Sequence, residues 1–320
     1  MNFLRSVRVV ADASASGTGN IDWDAVAEAS KASVDPGSLD LSAEEQSGYA
    51  ADVRDARDRL SVVAGVTFEV PDVVEVQNRH HWIDANVETF RRVMAPFEEH
   101  GPSVFPGVAR AVNTGTFALV LSFLGNNVLG QYDPLLLAEG DDEHGLYFVH
   151  PNIRRVADSL DVDYPRFRRW IAFHEVAHAA EFGAAPWLPT HLETRMSRGI
   201  DALVDGDLDR DAFAELDTAM TAVEGYAELL MDRAFDDEYE DLRRKLDARR
   251  QGGGPIARLT RRALGLGLKR RQYERGARFF EHVADERGVA AASRVWDHPE
   301  NLPTNAELDA PERWIARVSP

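Results

Sequence analysis

His174, Glu175 and His178 are the residues whose types and spacing point most directly to chemistry. They form the pentad His174-Glu175-Val176-Ala177-His178, which reads H-E-x-x-H. On a helix, residues four apart share one face, so both imidazoles can address one ion. Glu175 is rotated off that pair but stays close enough to hold a water on the ion. Two neutral nitrogen ligands, an open coordination position and an adjacent general base are what zinc hydrolysis requires. The competing reading is a chance pentad on a buried helix with satisfied core histidines. The flanking residues weigh against it. Phe167, Trp170, Ile171, His174 and His178 follow a helical period. Two histidines and a glutamate buried there without partners would be costly.

A third ligand must come from elsewhere in the chain. Ala219 to Asp232 is again apolar and helix-like, and it carries Glu224, Glu228 and Asp232 at intervals of four. One reading is a solvated acidic stripe, common in so acidic a chain. The sharper reading makes Glu224 a metal ligand. Glu228, one turn on, would then accept a hydrogen bond from a ligating histidine, and Asp232 would extend that outer shell or lie on the surface.

His174-Glu175-x-x-His178 followed by Glu224-Gly225-Tyr226-Ala227-Glu228 resembles the glutamate-ligand zincins, metallopeptidases in which a second helix supplies a glutamate. The chain departs from their N-E-G-x-A-E-like string in having Val223 before Glu224, and its spacer from His178 is longer. A broader resemblance runs through Tyr147 to Ile153, Phe167 to His178, Pro186 to Leu192, Val223 to Glu228, Gln272, Tyr273 and Gly276, Pro299 to Thr304, and Pro311 to Trp314. These strings are similar to a family of zincin-like proteins regarded as hydrolases, found in actinobacteria, chloroflexi and haloarchaea. Some members are labelled as associated with deazaflavin-coenzyme biosynthesis. The resemblance implies a mainly α, zincin-like metalloprotease fold with a small β element, and one zinc per chain. It names no substrate.

Composition narrows the classes. The 320 residues carry 54 acids against 36 bases, a net charge of −18. Only Lys31, Lys245 and Lys269 among the bases are lysines. High aspartate with scarce lysine resembles haloarchaeal cytoplasmic proteins, whose negative surfaces stay hydrated and mutually repelling in salt. Such a surface disfavours nucleic acid, whose phosphates it repels. The absence of cysteine excludes disulfides and thiolate ligands, so a metal must rest on His, Asp or Glu. No secretory signal is evident in Met1 to Val10. The most apolar run, Phe117 to Leu124, is too short to span a bilayer. A cytoplasmic location with no membrane partner is therefore expected; a peptide or small amide as substrate is what the resemblance to metallopeptidases implies.

The remaining segments must build the frame. Residues 11–20 are small and polar and read as a connector; 21–320 reads as one large helical domain, with a helical part 21–110 and a metal-site part 111–320. Ile21–Ser33 and Ser42–Val63 have amphipathic helical patterns, with Asp40 or Ser42 as cap of the second. Thr67–Pro71 reads as a short extended piece, Val76–Glu99 as a helix and Val108–Leu124 as a long buried helix that Gly115 could kink. Gly145–His150 is the best strand candidate. Zincins commonly hold substrate along a strand edge above the metal, and this segment is either such an edge or plain core. Asp205–Asp211 reads as an acidic turn, because a calcium loop would need a glutamate at its twelfth position. Gln251–Pro255 reads as a hinge or loop. Arg243 to Lys245, Arg249, Arg250, Arg258, Arg261, Arg262 and Lys269 to Arg271 form a basic cluster, matched either to the acidic surface or to an anionic partner.

A hydrolase also needs a group that stabilises the oxyanion. Tyr273 is the preferred candidate, with Tyr226, His191, Arg195 and His282 as others. Two further classes compete with hydrolysis: a non-catalytic zincin scaffold with structural zinc, which has no need of Glu175, and a di-iron bundle. The latter needs a second E-x-x-H, absent near Glu224, Glu228 and Glu281.

Overall fold

The computed structural model describes residues 19–320 apart from 66–67, 69–70, 72, 96–97, 99–105, 134–144, 236–240 and 246–265. In chain order its elements begin with α1 (Trp23–Ser33), α2 (Ala43–Ala64), β1 (Val73–Gln77), α3 (Arg79–Val93) and α4 (Pro106–Asn127). They continue with β2 (Gly130–Asp133), β3 (Gly145–Val149), α5 (His150–Leu160), α6 (Tyr164–Ala184), α7 (Leu188–Val204) and α8 (Arg210–Ala234). The last part holds α9 (Leu266–Arg287), α10 (Val289–Ala292), α11 (Asn305–Asp309) and α12 (Pro311–Val318). The fold is mainly helical with one small sheet, as the sequence implies.

Local chemistry explains most boundaries. Asp22 caps α1 by accepting from Ala25 N, and Ser42 and Glu45 form a reciprocal capping box at the start of α2. Asp163 accepts from Arg166 N to open α6, with Pro165 in its first turn. Asp209, within the acidic turn expected over Asp205–Asp211, caps α8 through Ala212 N, so the helix takes up the last two residues of that stretch. The helix expected over Val76–Glu99 needs correction. Val73, Val74 and Val76 lie in β1, and the helix starts only at Arg79, where Asn78 accepts from His81 N. β-Branched residues before an asparagine cap favour strand then helix over one continuous helix.

The sheet order is β1-β3-β2, with β1 parallel and β2 antiparallel to β3. β3 is thus the central strand, and Leu146, Phe148 and Val149 within it are fully buried. This overturns the idea that Gly145–His150 offers an edge; β2 is the edge that runs beside α6.

α6 sits at the centre of the larger core, against α2, α5, α8 and β2. Phe167, Ile171, Phe173 and Val176 are almost wholly buried along it, each worth about 1.5–3 kcal/mol in transfer from water. α8 is pressed against α9 through two glycines: a Cβ on Gly225 would lie 2.3 Å from the Gly276 carbonyl carbon. That contact sets where α8 stands, and therefore where Glu224 stands. A second core joins α1, α3 and α4 around Trp23, Trp82, Ile83 and Leu121.

Several expectations lie wholly or mostly outside the described residues. They are the connector over 11–20 except its last two positions, most of Thr67–Pro71, the Gln251–Pro255 loop and the arginines from Arg249 to Arg262. Tyr273 and Lys269 to Arg271 fall on α9 with side chains outside the described set.

Candidate metal centre

α6 presents His174 and His178 one turn apart on one face, as the spacing requires. Their rings lie 4.7 Å apart between centroids and nearly perpendicular, and the His174 ring stacks parallel to Trp170. α8 brings Glu224 to the same place. One donor atom from each of His174, His178 and Glu224 lies within 4.8 Å of the other two. The His178 Nε2 to Glu224 Oε2 distance is 3.9 Å.

Glu181 orients His178. Its Oε2 lies 2.9 Å from His178 Nδ1, and its side chain is fully buried. An ionised Glu181 favours a proton on Nδ1, so that in the neutral ring the Nε2 lone pair faces Glu224. The sequence assigns an outer-shell role on a ligating histidine to Glu228; on His178 it is Glu181 that occupies this place. Glu228 lies 2.8 Å from Arg243, and Asp232 is on the exposed surface. Glu181 was legible in principle: it stands three residues after His178 on the same helix, a spacing that allows direct contact.

Glu175 is also buried, and its Oε2 accepts from Tyr132 N at 2.9 Å. Three buried carboxylates, Glu175, Glu181 and Glu224, thus surround two imidazoles. So much negative charge out of water is expensive unless a cation shares the space. The donor set, two nitrogens and a carboxylate, suits a zinc-like ion. Burial alone would lower the proton affinity of His178. The hydrogen bond to Glu181 and the charges of Glu181, Glu224 and Glu175 outweigh it and push the pKa up to about 9 when no cation competes. Burial raises the Glu181 carboxyl, against the pull of His178.

A family model described as zincin-like metallopeptidase matches residues 21–210 and 196–315, and so takes in the pentad, Glu224 and nearly all the described elements. The chain belongs to the zincin-like metallopeptidase family. Among solved structures, this zincin-like chain is similar to a proposed hydrolase with a novel fold from Chloroflexus aurantiacus. The two share 28% identity at a TM-score of 0.73, over 100% of this chain and 99% of that one. No curated protein matches it. These relatives lend no support to a haloarchaeal origin or to a coenzyme-biosynthesis link.

The other candidates for oxyanion stabilisation stand apart from the cluster or are already engaged. Tyr226 is buried, with its hydroxyl 2.7 Å from Ser293 Oγ. Arg195 is tied to Glu215 at 3.0 Å. His191 packs edge-on to Trp187, and His282 is exposed. No helix among the described residues is long and apolar enough to cross a membrane.

Proposed function

We propose that this chain is a zinc-dependent hydrolase acting on an amide bond of a peptide or small amide, with His174, His178 and Glu224 as ligands and Glu175 as general base. One observation carries the reading. Two separate helices, α6 and α8, bring three donor atoms within 4.8 Å of one another beside a buried carboxylate. Family membership and the hydrolase-like neighbour support the reaction class.

Bound zinc would supply Lewis acidity, lowering the pKa of a water and polarising the scissile carbonyl. The chain's own residues do the rest. Glu181 holds the Nδ1 proton of His178, so Nε2 stays a donor to the metal. Glu175 takes a proton from the attacking water and returns it to the leaving amine. Burial keeps both carboxylates from being screened by solvent.

The test is metal analysis followed by a panel of peptides and small amides. Zinc is expected at one per chain. Glu175→Gln should retain that zinc and lose turnover by about 10²–10⁴-fold, the usual contribution of a general base. A chain that holds no divalent ion, or a Glu175→Gln variant as active as wild type, refutes the proposal. Zinc without turnover on any panel member would support a scaffold instead.

A further inference from the structure

Among the described residues β2 is an edge strand, so half of its backbone groups turn away from β3. Such groups normally meet water or another chain. Tyr132 stands opposite Leu146 of β3, yet its N–H turns outward and donates to Glu175 Oε2 at 2.9 Å. Gly130 stands two residues earlier, on the same edge. A Cβ there would lie 2.7 Å from both Oε1 and Cγ of Glu175. Gly130 is not among the residues with positive φ, so no backbone conformation calls for glycine at this position. What the glycine supplies is room.

We propose that the outward edge of β2 is a seat for Glu175, in which the Tyr132 N–H holds one carboxylate oxygen and the missing side chain of Gly130 admits the other. Tyr132 and Gly130 are then positioning residues for the base, acting through the backbone. This rests on the reading of Glu175 as the base. A peptide N–H has no rotamers of its own, so the aim of the carboxylate is set by the sheet and not by a second mobile side chain.

Amide hydrogen exchange at Tyr132 tests the seat, in the full chain with zinc added and again after chelation. Glu175→Ala should speed exchange at that amide tenfold or more. Glu175→Gln keeps an acceptor oxygen and should restore most of the protection. Gly130→Ala should push the carboxylate off the strand and exchange like Glu175→Ala, while its zinc content stays at the wild-type level. Equal protection of Tyr132 in wild type and Glu175→Ala overturns the proposal, as does a folded Gly130→Ala variant with wild-type exchange. If Gly130→Ala does not fold, the comparison of Glu175→Ala with Glu175→Gln decides alone. Failure to bind zinc with the expected exchange pattern intact counts against the metal reading and leaves the seat standing. Normal zinc binding with unchanged exchange counts against the seat alone.

Discussion

Glu181 is the single residue that best separates metal binding from the rest of the structure. It is buried, it touches His178 Nδ1, and it is not itself one of the three clustered donors. Glu181→Ala should weaken zinc binding by about 10–100-fold, the usual cost of losing an outer-shell partner, with Glu181→Gln recovering part of it. Competition against a chelator of known affinity measures this, and an unchanged Kd would remove Glu181 from the site. His178 adds a pH dependence whose sign is fixed. The ion binds neutral imidazole, and His178 without a competing ion is protonated below about 9. Zinc affinity should therefore rise with pH, on the order of tenfold per unit for one released proton, and level off above that value. Titration at several pH values checks it; affinity that is flat from neutrality to pH 9 would mean that His178 is already neutral.

Among elements, the crossing of α8 with α9 decides where Glu224 stands. Gly→Ala within an exposed helix is normally favourable by about 1 kcal/mol. Here backbone faces the new methyl group: the Gly276 carbonyl carbon lies 2.3 Å from a Cβ on Gly225, and Thr221 O lies 2.2 Å from a Cβ on Gly276. Backbone cannot swing aside as a side-chain tip can, so the clash outweighs propensity. Gly225→Ala should destabilise the chain by about 1–3 kcal/mol or more, as overpacking does. It should also weaken zinc binding, because α8 must move with Glu224 on it. Denaturant melts with and without zinc read both effects; a variant as stable as wild type would mean that the two helices separate at little cost.

For the molecule as a whole, net charge is the governing quantity. At −18 the folded chain repels itself, and that repulsion is felt over about 30 Å at 0.01 M salt and about 3 Å at 1 M. Specific pairs work in the other direction. Arg168 bonds Asp52 at 2.6 Å in a largely buried setting between α6 and α2, and salt screens such pairs less than exposed ones. The midpoint of thermal unfolding should therefore rise between those two salt concentrations. A falling midpoint would mean that exposed ion pairs outweigh the repulsion. The expected halophilic character thus has a physical test that does not depend on where the protein comes from.

Helical spacing is a local property, and the pentad needed nothing more to put His174 and His178 on one face of α6. Caps at Asp22, Ser42 and Asp209 and the apolar periods of α2, α4 and α6 are local too, which is why the mainly helical frame was readable. The helix expected through Val76 differs from the structure because a short, half-buried strand and the start of a helix can carry the same apolar residues. Contacts across the chain depend on crossing angles and strand order, which no window of residues contains. Tertiary packing alone decided that α8 carries Glu224 to the histidines of α6 and that β3 is a central strand. It alone put Gly130 and Tyr132 against Glu175, because that contact exists only once the sheet has docked on α6.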